Sequence, residues 1–251
     1  MGELDFENVV FGYGGNTLFN GFSASFAKEQ ISCIVGPNGC GKSTLAKLAM
    51  GLIKPASGRV LIQGRDVASL DPRERARRLG VLVQQQEAPM MTVRELAACG
   101  RFPHHGPLSR LDETDAQCID ETLSLAGVYD LRDRPLRSLS GGQRQRARMA
   151  MVLAQDTPVV LLDEPTSFMD AAACFDMMRL VRRVRERGKT VIAVIHDLNL
   201  ALSVADAVFV MERGRLAAQG APSEAAVQSA IEQSFGVRLE HVETPSGVAW
   251  V

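Results

Sequence analysis

The sequence lacks the features that mark secreted and membrane-spanning proteins. Its five cysteines are an odd number without a CxxC pair, which argues against a disulfide framework or a zinc site and favours reduced thiols in the cytosol. The strongest apolar runs, "VVLLD" from Val159 and "VIAVIHD" from Val191, are far too short to span a bilayer. Because "MGELDFENVV" has no basic segment followed by an apolar core, we expect no secretory signal.

Charge of one sign is also lacking. The formal net charge is -1, so nothing biases the chain toward nucleic acid or anionic lipid. The basic run "PRERARR" is typical of a solvated helix face, and we expect no nucleic-acid partner. Repeats, low-complexity tracts and Gly/Ser linkers are missing as well. With 251 residues, 46% of them apolar, the chain is expected to form a single domain over residues 1–251.

The order of the hydrophobic patterns predicts an α/β fold. Strand-like runs open the chain, and strands alternate with helices again after residue 156, which implies a largely parallel sheet. Between residues 87 and 155 helical patterns dominate, with one helix beginning at the capping box "TVRE" of Thr92 and another over 112–126. We therefore expect an α/β core of residues 1–86 and 156–251, an antiparallel β region at its N-terminus, and an inserted helical lobe of residues 87–155.

"GPNGCGKST" matches the phosphate-loop pattern G-x-x-x-x-G-K-[ST] and lies between a predicted strand, "ISCIV", and a predicted helix. Glycines let the backbone N–H groups wrap phosphates, and the N-terminus of the helix adds positive potential. Lys42 is expected to reach the β- and γ-phosphates of a nucleotide, and Ser43 to bind Mg²⁺. The predicted nucleotide-binding residues here are Gly36, Asn38, Gly39, Cys40, Gly41, Lys42, Ser43 and Thr44.

Polar residues follow three other predicted strands. Asp163 and Glu164 follow "VVLL" at the carboxyl edge of the sheet, where open α/β sheets bind ligands. We expect Asp163 to hold Mg²⁺ through water and Glu164 to polarise the attacking water. His196, after "VIAVI", is expected to hydrogen-bond the γ-phosphate, whereas His104, His105 and His241 are expected to be loop or surface residues.

Gln84 follows the predicted strand "LGVLV", close to the predicted boundary between the core and the helical lobe. Its amide can contact Mg²⁺ or the water, and it can couple the nucleotide state to movement of the lobe. Gln85 and Gln86 leave the register of this assignment open by one or two residues.

"LSGGQRQR" is a second glycine-rich segment that opens a helix. Ser140 can cap that helix while Gln143 stands three residues on, which is the pattern of a capping box. Gly141 and Gly142 allow an anion to approach the backbone closely. The segment predicts an anion site on the helical lobe, away from the first glycine loop.

These motifs resemble those of the ABC-type ATPases, which carry a phosphate loop, a Gln loop, an LSGGQ signature, a DE pair and a switch histidine in this order. The resemblance covers nearly the whole chain and implies a P-loop ATPase (RecA-like) core that hydrolyses ATP with Mg²⁺. In the family the signature lies on the γ-phosphate bound by the opposite subunit. The resemblance therefore implies a head-to-tail homodimer that closes when ATP binds. It also implies that Tyr13 stacks on adenine, although this ring can simply pack, and that Asp170 is the D-loop aspartate.

Longer segments, among them "TVRELAACGRFPHHGPLSR" and "HDLNLA", resemble ATP-binding subunits of metal-chelate importers. This implies cargo such as a ferric siderophore, with haem or cobalamin as alternatives. It also implies a membrane permease dimer as partner, indirectly a periplasmic or surface substrate-binding protein, and a place on the cytoplasmic face of the membrane. A non-transport ABC-type ATPase is the alternative, but a repair ATPase needs a long coiled-coil insertion and a translation factor two cassettes in tandem.

Overall fold

The computed structural model describes residues 2–83, 88–105, 110–167, 169–244 and 247–250. Its strands are β1 (Leu4–Tyr13), β2 (Asn16–Phe26), β3 (Ile31–Val35), β4 (Ser57–Ile62), β5 (Arg65–Asp66), β6 (Leu79–Leu82), β7 (Val159–Asp163), β8 (Thr190–Val194), β9 (Ala207–Glu212), β10 (Arg215–Gly220), β11 (His241–Thr244) and β12 (Gly247–Trp250). Its helices are α1 (Lys42–Ala49), α2 (Pro72–Ala76), α3 (Val93–Cys99), α4 (Glu113–Leu125), α5 (Gly141–Ala154), α6 (Ala171–Glu186), α7 (Leu198–Val204) and α8 (Ala225–Phe235).

A six-stranded sheet with the order β10-β9-β3-β8-β7-β6 forms the centre of the fold. All its pairs are parallel except β9 with β10, as expected for strands joined through helices. Both faces are covered: Cys33 and Val35 pack into the cluster that contains the helices from α3 to α8, while Ile34 packs toward α1. The inner strands β3, β7 and β8 are mainly apolar, because both of their faces are buried, whereas the edge strand β10 alternates exposed and half-buried residues.

The antiparallel region predicted at the N-terminus is present as a four-stranded sheet with the order β2-β1-β4-β5. Its inner face shares a core with α1 and the central sheet, and Phe6 meets the rings of Phe22 and Phe26 edge to face. Such ring pairs add to the free energy gained from burial alone. This sheet places the start of β2 beside the glycine loop that follows β3.

Three helices, α3, α4 and α5, lie between β6 and β7 in the chain and pack on one another. Two of the expected helix starts are confirmed: Thr92 and Asp112 each cap a helix through a reciprocal capping box. The apolar residues of these helices belong to the same cluster as one face of the central sheet. The boundaries of a core and an inserted lobe at residues 87 and 155 stay a prediction.

His105 lies in a loop, as expected from the sequence, but its side chain also contacts a buried carboxylate. Its side chain is only 17% exposed, and Nε2 lies 2.7 Å from Oδ2 of the buried Asp115. Arg101 donates from Nε to the other oxygen of Asp115 at 2.8 Å and from Nη1 to the carbonyl of Ala154 at 2.8 Å. His105 and Arg101 therefore both contact the buried carboxylate of Asp115, and the sequence pattern missed this contact because Asp115 lies on the next helix. Elsewhere, β6 ends at Leu82, one residue earlier than expected.

None of the helices within the described ranges combines the length and the apolar character that crossing a membrane requires.

Candidate functional site: the glycine loop and the carboxyl edge of the sheet

The glycine loop connects β3 to α1 through backbone conformations that favour glycine. Gly39 and Gly41 have φ values of 79° and 113°, in the left-handed region. A methyl group on Gly41 would lie 2.7 Å from the ring of Phe19, so the loop is also packed against β2. Gly36 is equally confined, since a methyl group there would lie 2.2 Å from the carbonyl oxygen of Met211. The loop is thus held in a fixed shape at the N-terminus of α1.

Lys42 is the first residue of α1 and is buried. Its ammonium group donates to the carbonyl oxygens of Gly36 at 2.6 Å and Pro37 at 3.0 Å, so the charge lies within the curve of the loop. Ser43 is exposed and Thr44 is buried on the same helical turn. A lysine charge, free N–H groups and a helix N-terminus together favour a phosphate.

Cys40 belongs to the glycine loop, and its side chain faces the protein interior with only 3% exposed. Burial raises the pKa of its thiol, although the nearby charge of Lys42, whose Nζ is 3.9 Å from Sγ, partly opposes the shift. The thiolate is therefore scarce at neutral pH, and the residue serves as a small apolar filler in the loop.

Asp163 ends β7 with an unsatisfied carboxylate oxygen. Oδ1 is buried and has no hydrogen-bond partner within the described part of the chain. Burial and the neighbouring Glu164 raise the pKa of this carboxyl, while His196 and Lys42 act in the opposite direction. A buried oxygen without a donor suits a cation, so the donor set of Asp163 with the hydroxyl of Ser43 fits Mg²⁺.

Glu164 and His196 contact each other across neighbouring strand ends. Oε1 of Glu164 lies 2.5 Å from Nε2 of His196, and Ser167 donates to Oε2 at 2.8 Å. Burial raises the pKa of Glu164, but the hydrogen bonds from Ser167 and His196 outweigh it, so the pKa lies below its usual range. Glu164 also has a φ of 53°, which a non-glycine residue adopts mainly where the surroundings impose it. Its carboxylate is therefore ionised at neutral pH and fixed in position.

A cleft of about 490 Å³ brings half of the predicted site residues together. It is lined by Tyr13, Asn16, Thr17, Leu18, Asn38, Gly39, Gly41, Lys42, Ser43, Thr44, Glu164 and His196. Tyr13 is half exposed and packs edge to face on Phe11, with ring centroids 4.9 Å apart, so it supports both the stacking and the packing interpretation. Gly36 and Cys40 form the buried back of the loop.

Asn16, Thr17 and Leu18 are residues of this cleft that the sequence reasoning missed. They begin β2 directly after the glycine turn that follows Tyr13, and no motif marks them. The signal available was their proximity to Tyr13, because a hairpin places the first residues of its second strand beside the last residues of its first.

The signature segment lies elsewhere. Ser140 caps α5: its hydroxyl accepts from the N–H of Gln143 at 3.3 Å, and the amide oxygen of Gln143 accepts from the N–H of Ser140 at 3.0 Å. This confirms the expected capping box. Gly142 abuts Ala173, since a methyl group on it would lie 3.1 Å from Cβ of that residue. Neither these residues nor Gly141 line the cleft described above.

Asp170 caps α6, accepting from the N–H of Ala173 at 2.8 Å. Its neighbour Met169 packs near the signature, since a methyl group added to Gly142 would lie 3.6 Å from Cε of Met169. Gln84 lies outside the described residues, so its role stays a prediction from the sequence.

Two curated relatives match nearly the whole chain. It is 39% identical to the ferric enterobactin transport ATP-binding protein FepC of Escherichia coli (strain K12), over 98% of this chain and 91% of that protein. It is 38% identical to the hemin import ATP-binding protein HmuV of Rhodopseudomonas palustris (strain BisB18), over 100% of this chain and 94% of the relative.

A solved structure supports the same fold. A chain from an ABC transporter described as of metal-chelate type, in an inward-facing conformation, matches with a TM-score of 0.85 over 99% of this chain and 96% of its own, at 24% identity. The predicted P-loop ATPase fold is thereby confirmed. The family model described as ABC transporter matches residues 19–167. The chain therefore belongs to the ABC transporter family, as an ATP-hydrolysing subunit.

Proposed function

We propose that this chain powers the import of a metal chelate, with a ferric siderophore as the favoured cargo and haem or cobalamin as alternatives. The ATPase function rests on one observation: Lys42, Glu164, His196 and Tyr13 all line the same cleft. Two of its relatives are named for ferric enterobactin transport and hemin import, which supports the class of cargo.

The cleft residues divide the work on ATP. The glycine loop and Lys42 bind the phosphates and oppose the charge that develops as the γ-phosphoryl group leaves. Glu164, ionised and held by Ser167 and His196, orients the attacking water. His196 shares a hydrogen bond with Glu164 and faces the same cleft, so it can bond the γ-phosphate once ATP separates the pair. Tyr13 stacks on the adenine ring.

Ser43 and Asp163 are the described residues that suit Mg²⁺, with Gln84 as a further ligand inferred from the sequence alone. The ion, when bound, neutralises the phosphate charge. The orphaned Oδ1 of Asp163 supports this assignment, because a buried acceptor without a donor is costly unless a cation or water fills the gap.

The signature needs a second copy of the chain. Ser140, Gly141, Gly142 and Gln143 present the N-terminus of α5 to solvent, away from the cleft of their own chain. Anions are favoured at such a terminus. In a head-to-tail homodimer the signature of one chain therefore completes the nucleotide site of its partner, with Asp170 beside it.

The permease docks on the groove formed by residues around Met90. This groove has a volume of about 330 Å³ and is lined by Pro89, Met90, Met91, Thr92, Glu95, Pro135 and Arg137. Met90 is 83% exposed, and Arg137 ties the groove together by donating to the carbonyl of Ala88 at 3.2 Å. An exposed flexible methionine beside a small apolar groove suits a helix from a partner. Bound there, the chain lies on the cytoplasmic face of the membrane.

Co-purification tests the transport function directly. The tagged chain is extracted from membranes of its source cells in mild detergent, and its partners are identified together with any metal or chelate. We expect a polytopic permease and, through it, a receptor for a metal chelate. A Met90→Glu variant is expected to lose the permease, whereas Leu52→Glu, at another exposed apolar side chain, is expected to retain it.

Recovery of soluble partners alone, with the chain absent from membranes, would leave the ATPase in place but overturn the transport function. Recovery of a permease with a receptor for another class of solute would overturn the cargo.

A further inference from the structure

The turn between β9 and β10 contacts the glycine loop. It consists of Arg213 and Gly214, whose φ values of 46° and 74° are those of a tight two-residue hairpin. Arg213 is exposed, so the contact is made by the backbone of Gly214. In hairpins of this kind the N–H of the second turn residue is free to bond outside the hairpin.

Gly214 makes two close contacts with different parts of the cleft. Its N–H donates to the carbonyl of Cys40 in the glycine loop at 3.1 Å. A methyl group on it would lie 1.7 Å from the carbonyl oxygen of Leu18 on β2, so the backbones touch there without room for any side chain. Strand β9, which leads into this turn, contacts the other end of the loop, because the carbonyl of Met211 abuts Gly36.

These contacts connect two walls of the nucleotide cleft. Leu18 lies on the wall that also carries Tyr13, and Cys40 belongs to the loop that carries Lys42. A nucleotide must span both walls, with its base at one and its phosphates at the other. The separation of the two walls therefore sets how well the two halves of ATP are held at the same time.

We propose that Gly214 is a positioning residue for ATP, which fixes the distance between the adenine wall of β2 and the glycine loop. This inference rests on the proposed function, in that ATP must occupy the cleft between Tyr13 and Lys42. A turn that requires glycine only for its φ angle has no such effect on the nucleotide. The two roles are separable because asparagine tolerates a positive φ but carries a Cβ.

The test compares Gly214→Asn with Gly188→Asn. Gly188 has a nearly equal φ of 76°, but nothing lies within 4 Å of an added methyl group. Binding of MgATP and of magnesium tripolyphosphate, which lacks the base, is measured for the full chain by calorimetry or competition. We expect Gly214→Asn to weaken the binding of MgATP by about tenfold, because the added Cβ pushes β2 away from the loop, while the binding of tripolyphosphate changes much less. Gly188→Asn is expected to change neither ligand.

Equal losses for both ligands in Gly214→Asn, or the same loss in Gly188→Asn, would assign Gly214 a purely structural role and overturn the proposal. An unsubstituted chain that binds no MgATP would instead overturn the proposed function and this inference with it. Normal binding by the unsubstituted chain and by Gly214→Asn would overturn only the inference.

Hydrogen exchange provides a test that needs no variant and holds even if Gly214→Asn does not fold. The amide of Gly214 is expected to exchange slowly and to slow further when MgATP saturates the chain. The amide of Gly64, at the same place of the two-residue turn Gln63–Gly64, serves as the reference and is expected not to respond. An unchanged exchange rate at Gly214 on nucleotide binding contradicts the coupling.

Discussion

Lys42 provides the positive charge that the cleft buries. Its ammonium group is held by two carbonyl oxygens of its own loop, so it is oriented in advance for phosphate. Replacement by alanine is expected to lower kcat for ATP by about 10²–10³-fold or more, in line with the loss of one preorganised electrostatic contact. Steady-state phosphate release measures this, with Lys47→Ala as control, because Lys47 lies on the same helix but is exposed.

Retained turnover in Lys42→Ala would contradict the assignment of the phosphate loop. A comparable loss in Lys47→Ala would instead indicate that helix α1 tolerates no change at all.

At this scale, residues within one local motif were predictable and residues brought together over long distances were not. Lys42 begins α1 after the glycine loop, and Glu164 directly follows β7. Their positions at the carboxyl edge of the sheet could therefore be predicted from the sequence alone. Thr17 lines the cleft only because β2 packs beside the glycine loop. His105 contacts Asp115 in the first turn of α4, ten residues further along the chain, and no spacing rule links the two.

Helix α4 depends on a carboxylate in its first turn. The side chain of Asp115 is 2% exposed and accepts from Arg101 and from the N–H of Asp112. Removing one partner of a buried pair costs about 3 kcal/mol, so Asp115→Asn is expected to lower the free energy of unfolding by that order. Asp120→Asn, on the same helix in a half-exposed pair with Arg94, is expected to cost less than about 1 kcal/mol.

The pH dependence of this contribution has a definite sign. Burial raises the pKa of Asp115, but hydrogen bonds from Asp112, Arg101 and His105 outweigh it, so the folded value lies well below the usual range. The stabilisation is therefore complete above the unfolded pKa of about 3.9 and is lost as the pH falls below it. Denaturation in urea from pH 7 to 3 is expected to show the difference between the unsubstituted chain and Asp115→Asn shrinking. A constant difference contradicts the ion-pair network.

Helix α5 begins with the cap residue Ser140, to which we also assign a role at the opposite nucleotide. Ser140→Ala removes the bond to Gln143, which is expected to cost about 1 kcal/mol of stability. If Ser140 also contacts the phosphate of the opposite nucleotide, hydrolysis falls by more than that loss explains, while MgATP binding to the monomer is unchanged. Thr92→Ala, in the matching capping box of α3, is expected to cost similar stability and leave hydrolysis by the isolated chain intact.

Equal hydrolysis in the two variants after correction for stability would leave Ser140 a structural cap only.

The starts of these helices could be predicted from the sequence. Thr92 and Ser140 each stand three residues before a glutamate or glutamine, and this spacing predicts the hydrogen bonds of the capping box. The sequence could not give the packing of α5 against α6 through Gly142 and Ala173, since that contact depends on the arrangement of whole elements.

At the scale of the molecule, the nucleotide cleft and the signature are separate features of one chain. Side chains along β3, β7 and β8 alternate between the two apolar clusters on either face of the sheet, and the sheet order brings the glycine loop, Glu164 and His196 to one edge. The signature lies at the start of α5, among the helices between β6 and β7. In the proposed head-to-tail dimer, the cleft of one chain and the signature of the other together form each nucleotide site.

This arrangement predicts that ATP joins two chains when hydrolysis is blocked. In Glu164→Gln the amide keeps the shape of the side chain but cannot act as a base, so MgATP binds and persists. We expect sedimentation velocity at saturating MgATP to show a dimer, which dissociates when ADP replaces ATP.

The double variant Glu164→Gln/Lys42→Ala is expected to stay monomeric, because the phosphates are no longer held. Glu164→Gln/Ser140→Arg is also expected to stay monomeric while each chain still binds MgATP, because the opposite signature is blocked. A monomer of Glu164→Gln that is saturated with MgATP, both alone and with the permease, contradicts the head-to-tail dimer.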